Sequence, residues 1–164
     1  MRKIISVIGS SIADAKVAKI AQEVGAIIAQ RGYTLACGGL GGVMEAACKG
    51  AKSAMGTTIG FLPGVEKSEA NQYVDFVIPT GIGLARNLIV VLAGDGIIAI
   101  GGGSGTLSEL SLAWQLGKPI VALTPSGGWA EKFAGQSLDD RRLGKIEGAA
   151  TAKEALDILL RHVP

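Results

Sequence analysis

The chain reads as an α/β protein: a Rossmann-like, doubly wound, mainly parallel sheet of about seven strands with helices on both faces. Three observations predict this. Apolar runs alternate with helix-patterned segments along the whole length. The runs IISVIG, TTIGFL and GIIAIG are apolar on both faces, as parallel strands covered on two sides must be. Glycine clusters recur where such a run gives way to a helical pattern.

The runs place strands at 4–9, 33–37, 57–61, 75–78, 96–100 and 119–123, with a short one near Ile146. Helical patterns fill 13–30, 43–54, 84–93, 106–116 and 152–161. No linker, internal repeat or low-complexity segment interrupts the series, so one domain, 1–164, is expected.

Composition narrows the function classes. The 164 residues are 48% hydrophobic and 18% charged, with 25 glycines and only 4% aromatics. That suits a tightly turned α/β core and not a surface that stacks nucleic-acid bases. The net charge is +2, and the densest charged cluster, DDRR at 139–142, is balanced in sign. Neither duplex DNA nor an anionic membrane is expected as the main partner. The opening MRKIISVIGSS imitates a secretory leader, but its apolar run is short and meets Ser10, Ser11 and Asp14. The longest apolar stretch, from Leu88, is broken by Asp95. A cytoplasmic protein is expected. Cys37 and Cys48 have no metal-type spacing, and His162 is the sole histidine. A zinc site and a Ser-His-Asp or Cys-His arrangement are therefore not expected, nor is a structural metal.

The glycines carry the functional signal. GSS at 9–11, GGLGG at 38–42, TGIG at 80–83 and GGGSGT at 101–106 each follow a predicted strand and precede a helix. They converge on the carboxyl edge of the sheet, where open α/β sheets bind ligands and helix N-termini offer free N–H groups to anions. The candidate binding residues are Gly9, Ser10, Ser11, Gly38, Gly39, Gly41, Gly42, Met44, Arg86, Asn87, Gly102, Gly103, Ser104, Gly105 and Thr106. Each loop alone reads equally well as a tight strand–helix turn; four together favour a site. The dinucleotide fingerprint G-x-G-x-x-G fails, because Thr106 or Met44 stands where its third glycine belongs. No G-x-x-x-x-G-K-[ST] occurs, since Pro119 follows Lys118.

Two charged residues stand at this edge. Glu109 follows Thr106 by three positions, so it either closes a capping box on Thr106 or faces the ligand; the two are not exclusive. Arg86 opens a helix, where the dipole disfavours a cation unless an anion lies close. The segment after it, NLIVVLA, is apolar all round and calls for cover on every side, by the sheet and by a partner subunit. Met44 reads equally as core, Trp114 and Trp129 as packing, and nothing in the sequence activates Cys37.

With these residues in view, the chain resembles the LONELY GUY and molybdenum cofactor carrier superfamily, often labelled lysine decarboxylases and related to the DNA-processing A fold. GGGSGTLSE resembles the signature P-G-G-x-G-T-x-x-E, and CGGLGGVMEAACKGA and TGIGLARN resemble the other two site segments. The resemblance implies a homodimer or homotetramer, joined through the helices from Leu84 to Ala93 and from Thr106 to Leu116. It implies a phosphate pocket at the strand ends, and Arg86 and Glu109 match the pair that supports N-glycosidic hydrolysis of a cytokinin riboside 5′-monophosphate. Gly101 stands at the signature proline and Asn87 at the lysine of an Arg-Lys pair; both changes are similar to the carrier branch.

The expected function is a carrier-like binding protein for a phosphorylated nucleotide-type ligand, molybdenum cofactor or a nucleoside monophosphate among them, with no cofactor required for its own action. The alternative is a nucleoside 5′-monophosphate phosphoribohydrolase; a nucleotide-sensing or DNA-associated regulator is a third class. A pyridoxal phosphate decarboxylase is not expected, because no matching lysine site occurs.

Overall fold

The computed structural model describes residues 3–163. Seven strands form one sheet: β1 (Ile4–Gly9), β2 (Thr34–Cys37), β3 (Thr58–Leu62), β4 (Phe76–Pro79), β5 (Gly96–Ile100), β6 (Ile120–Leu123) and β7 (Glu147–Ala149). Their spatial order is β4-β3-β2-β1-β5-β6-β7, and every neighbouring pair is parallel. Six α-helices connect them: α1 (Ala15–Gln30), α2 (Val43–Ser53), α3 (Arg86–Ala93), α4 (Ser104–Gln115), α5 (Gly128–Phe133) and α6 (Ala152–Leu159). This is the doubly wound Rossmann-like architecture.

Strand alternation explains the two-layer core. Ile5, Val7, Ile98 and Ile100 face one side, where α1, α2 and α6 pack, while Ile8, Ile97 and Ala99 face the other, under α3, α4 and α5. Ser6 is the polar exception in β1; its hydroxyl donates to the carbonyl of Val90 at 2.7 Å and so ties α3 to the sheet. Asp14 caps α1 by accepting from the Val17 N–H at 2.8 Å.

The chain winds outward from β1 to β4 in one direction, then crosses back to start β5 beside β1 and winds outward the other way. The loops after β1 and β5 therefore leave in opposite directions and open a crevice between them. Most limits differ from expectation by one or two residues, and three differences bear on the site. The helix after β5 starts at Ser104, two residues early, α3 starts at Arg86 behind a 3-10 turn (Gly83–Ala85), and α5 was not expected. At six residues, α5 is too short to show a period.

Helices α1 and α2 touch through glycine. A β-carbon on Gly50 would collide with the backbone carbonyl of Gln22, and one on Gly25 with that of Ala47. Alanine normally gains about 1 kcal/mol over glycine inside a helix. Here the obstacle is backbone and cannot yield, so Gly50→Ala is expected to destabilise the fold by about 1–3 kcal/mol in chemical denaturation.

Candidate ligand-binding site

A cavity of about 380 Å3 lies in the crevice. The end of β1 and its loop supply Val7, Ile8, Gly9, Ser10 and Ser11, and the loop after β2 supplies Gly38 and Leu40, with Met44 from α2. Pro63 follows β3, Leu84 comes from the 3-10 turn before α3, and Arg86 and Asn87 open α3. The opposite wall is the first turn and a half of α4, from Gly103 through Thr106 to Glu109.

The start of α4 leaves backbone donors without helical partners. No side chain caps it, and its first backbone bond runs from the Leu107 N–H to the Gly103 carbonyl. The N–H groups of Ser104, Gly105 and Thr106 thus lack helical partners. Thr106 is 2% exposed, and its Oγ1 is the one fully buried side-chain polar atom without a hydrogen-bond partner among the described residues. A buried hydroxyl left unpaired costs about 1–3 kcal/mol.

The glycine loop ahead of α4 is held from behind. Gly101 and Gly102 both take left-handed conformations, with φ of 57° and 100°. The Gly101 N–H donates to Ser126 Oγ at 2.7 Å, and the Ser126 hydroxyl donates to the Leu123 carbonyl. The carbonyls of Gly101 and Gly102 accept from the N–H groups of Ala130 and Trp129. Helix α5 thereby props the loop. Gly102 has no room for a side chain because Thr106 lies against it.

Arg86 and Glu109 face each other across the cavity without an ion pair among the described residues. Arg86 lies so close over Gly38 that a β-carbon there would overlap its guanidinium. Burial pulls the Arg86 pKa down, opposed by the charges of Glu109 and Cys37. Glu109 is 6% exposed; burial pushes its carboxyl up to about 7, with Arg86 pulling the other way. The capping-box reading of Glu109 does not hold. The helix begins upstream of Thr106, so Glu109 falls in the second turn and turns to the cavity.

Of the predicted residues, Gly9, Ser10, Ser11, Gly38, Met44, Arg86, Asn87, Gly103, Ser104, Gly105, Thr106 and Glu109 line this cavity. Gly39, Gly41, Gly42 and Gly102 do not. Gly39 is packed against Leu62, Gly41 and Gly42 run beside the backbone of Ser10 and Ser11, and Gly102 backs onto Thr106. The sequence missed Val7, Ile8, Leu40, Pro63 and Leu84, whose apolar side chains carry no signal that separates a cavity wall from core. Cys37 and Cys48 are buried with their sulfurs 3.5 Å apart, behind the cavity wall. A larger hollow of about 550 Å3 lies at the opposite, amino-terminal edge of β6 and β7. Two of its basic side chains are engaged: His162 Nε2 lies 2.6 Å from a Glu147 carboxylate oxygen, and Arg142 lies over the Trp114 ring while donating to the Lys118 carbonyl. Among the described residues no group of three or more His, Cys, Asp or Glu could hold a metal, and no helix is long and apolar enough to cross a membrane.

Residues 2–156 match the family model described as SLOG cluster4 family. The chain belongs to the SLOG cluster4 family. The superfamily resemblance drawn from its motifs stands with it. A cytokinin riboside 5′-monophosphate phosphoribohydrolase of Mycobacterium tuberculosis is 39% identical over 123 residues, which span 69% of this chain and 65% of that enzyme. The molybdenum cofactor binding protein of Rippkaea orientalis has 37% identity and a TM-score of 0.88, covering 100% of this chain and 99% of that one. The molybdenum cofactor carrier protein of Chlamydomonas reinhardtii has 38% identity and a TM-score of 0.84, covering 98% of both chains. This SLOG cluster4 chain is thus similar over its length to carrier proteins and over part of its length to a hydrolase.

Two predictions follow from the site's geometry. Gly101→Pro, which would restore the signature residue, forces φ to about −65° and deletes the N–H bound by Ser126. A stability loss well above ~1 kcal/mol is expected by urea denaturation. For Glu109, the folded carboxyl titrates near 7 against 4.5 as its ordinary value. The stability it carries is fully present below pH 4.5 and is lost as the pH rises through 7. Glu109→Gln is therefore expected to gain on the native chain by up to ~3 kcal/mol at pH 8, with the gain vanishing near pH 4.

Proposed function

We propose that this chain is a carrier-like binding protein for a phosphorylated, nucleotide-type ligand of the molybdenum cofactor class, held in one Rossmann-like domain. The observation that carries the reading is the unpartnered Thr106 hydroxyl buried beside the uncapped start of α4. A phosphate monoester would take the N–H groups of Ser104, Gly105 and Thr106 together with that hydroxyl, and Arg86 would neutralise it. Ser10 and Ser11 would meet polar groups of the ligand, while Met44, Leu40 and Pro63 would pack against its ring. Two features support carriage over turnover: the carrier proteins match nearly the whole chain, and Asn87 supplies an amide where the hydrolase pattern has a second cation.

A second reading is favoured by one observation, the shared cavity of Arg86 and Glu109. In a phosphoribohydrolase, Glu109 would stabilise a cationic ribose or orient water while Arg86 and the α4 loop fix the phosphate. Either action would take place in a homo-oligomer. Leu84, Leu88 and Leu92 are 85%, 38% and 51% exposed and share one stripe, and Phe76 and Ile78 on β4 are also uncovered. A second copy would bury this face beside Leu84 and Arg86.

A chromatographic assay for free base, run on a panel of nucleoside 5′-monophosphates, separates the two readings. The carrier reading expects no base from any substrate, with phosphorylated ligand retained and lost in Arg86→Ala. Base released by the native chain and abolished by both Arg86→Ala and Glu109→Ala would overturn it in favour of the hydrolase.

A further inference from the structure

The charge inventory of the cavity is short. Among its lining residues Arg86 is the one cation and Glu109 the one acid; the rest are neutral. Glu109 receives no hydrogen bond, and Arg86 acts on it only through space. The elements packed on α4 bring little else. β1, β5 and β6 contain no ionisable side chain, α3 contributes Arg86, the buried Cys37 thiol lies at the end of β2, and Asp139 and Arg142 meet α4 at Trp114, five positions beyond Glu109. Glu109 is itself the only ionisable residue of α4.

A phosphate monoester carries about two negative charges at neutral pH. Against it stand Arg86 and the dipole of α4, worth about half a positive charge. An ionised Glu109, itself buried, would add a third negative charge to the same cavity, where like charges raise one another's pKa. A protonated Glu109 removes that repulsion and turns an acceptor-only group into a donor.

We propose that a dianionic ligand and one proton bind this cavity together, the proton residing on the Glu109 carboxyl. The proposal rests on the reading of the cavity as a phosphorylated-ligand site and adds what governs its occupancy: the site fills as the pH falls and releases as it rises. The ordinary state of the carboxyl fits this. With its pKa near 7, it carries the proton in about half the molecules at neutral pH before ligand arrives.

Calorimetry on the full chain with adenosine 5′-monophosphate tests it between pH 7 and 9, in buffers of different ionisation heat. The nucleotide has its second pKa near 6 and stays dianionic in this range, so a proton taken up belongs to the protein. Inorganic sulfate, which cannot be hydrolysed and does not titrate, serves as the second probe. The expected result is uptake approaching one proton per ligand at pH 8, with affinity falling up to about tenfold per pH unit. Glu109→Gln, neutral at every pH, should flatten the slope and abolish the uptake. The proton count on the native chain stands by itself if that variant does not fold. Binding without proton uptake overturns the proposal and leaves the phosphate site intact, as does a slope that survives in Glu109→Gln. No binding of either anion at pH 7 overturns the phosphate reading and the proposal with it.

Discussion

The parallel pairing of β1 with β5 is the contact on which the rest of this molecule depends. Five residues of each strand run in register, from Ile5 beside Gly96 to Gly9 beside Ile100. They bring together segments about ninety residues apart, and the carboxyl side chain of Asp95 pins the Ile4 N–H at the start of the seam. Because the chain leaves β1 toward β2 and leaves β5 toward β6, the two following loops cannot close over each other. The crevice is a consequence of strand order. The serines after β1 and the free N–H groups of α4 face the same space for that reason, whatever the loops themselves contain.

Within the crevice, backbone and side chain divide the labour. The backbone at the start of α4 supplies donors in fixed positions, because Ser126 and the first N–H groups of α5 hold the glycine loop from outside the cavity. The side chains supply charge, one fixed on Arg86 and one variable on Glu109. Gly38 makes this possible by leaving the guanidinium room beside the end of β2. One cavity thus combines unpaired backbone donors, a cation and a buried acid.

Much of this was legible in the sequence, for identifiable reasons. β1 and β5 were found at their true limits because two-sided apolar runs end abruptly at glycine. Three of the four glycine loops, GSS, GGLGG and GGGSGT, line the cavity, because glycine marks close approach; TGIG at 80–83 does not line it. What glycine does not say is which neighbour approaches; for Gly102 it is Thr106, and for Gly42 it is the backbone of Ser11, so neither lines the cavity. The Thr-x-x-Glu pattern occurs twice and means two things. In TAKE, Thr151 accepts from the Glu154 N–H at 3.2 Å and Glu154 reaches back to the Ala150 N–H at 2.8 Å, capping α6. In TLSE the helix has already begun at Ser104, so the hydroxyl is left unpaired and the carboxyl turns inward. The difference lies in where the preceding backbone becomes helical, which the four letters do not encode.

The bond between the Gly101 N–H and the Ser126 hydroxyl joins two loops that are 25 positions apart in the chain. A proline at 101 offers nothing for that hydroxyl to accept, and a residue without an oxygen at 126 strands a buried N–H. Neither position can drift alone without loss. The head of the glycine loop and the end of the neighbouring strand are thereby one mechanical unit, and replacing either residue alone costs the other its partner.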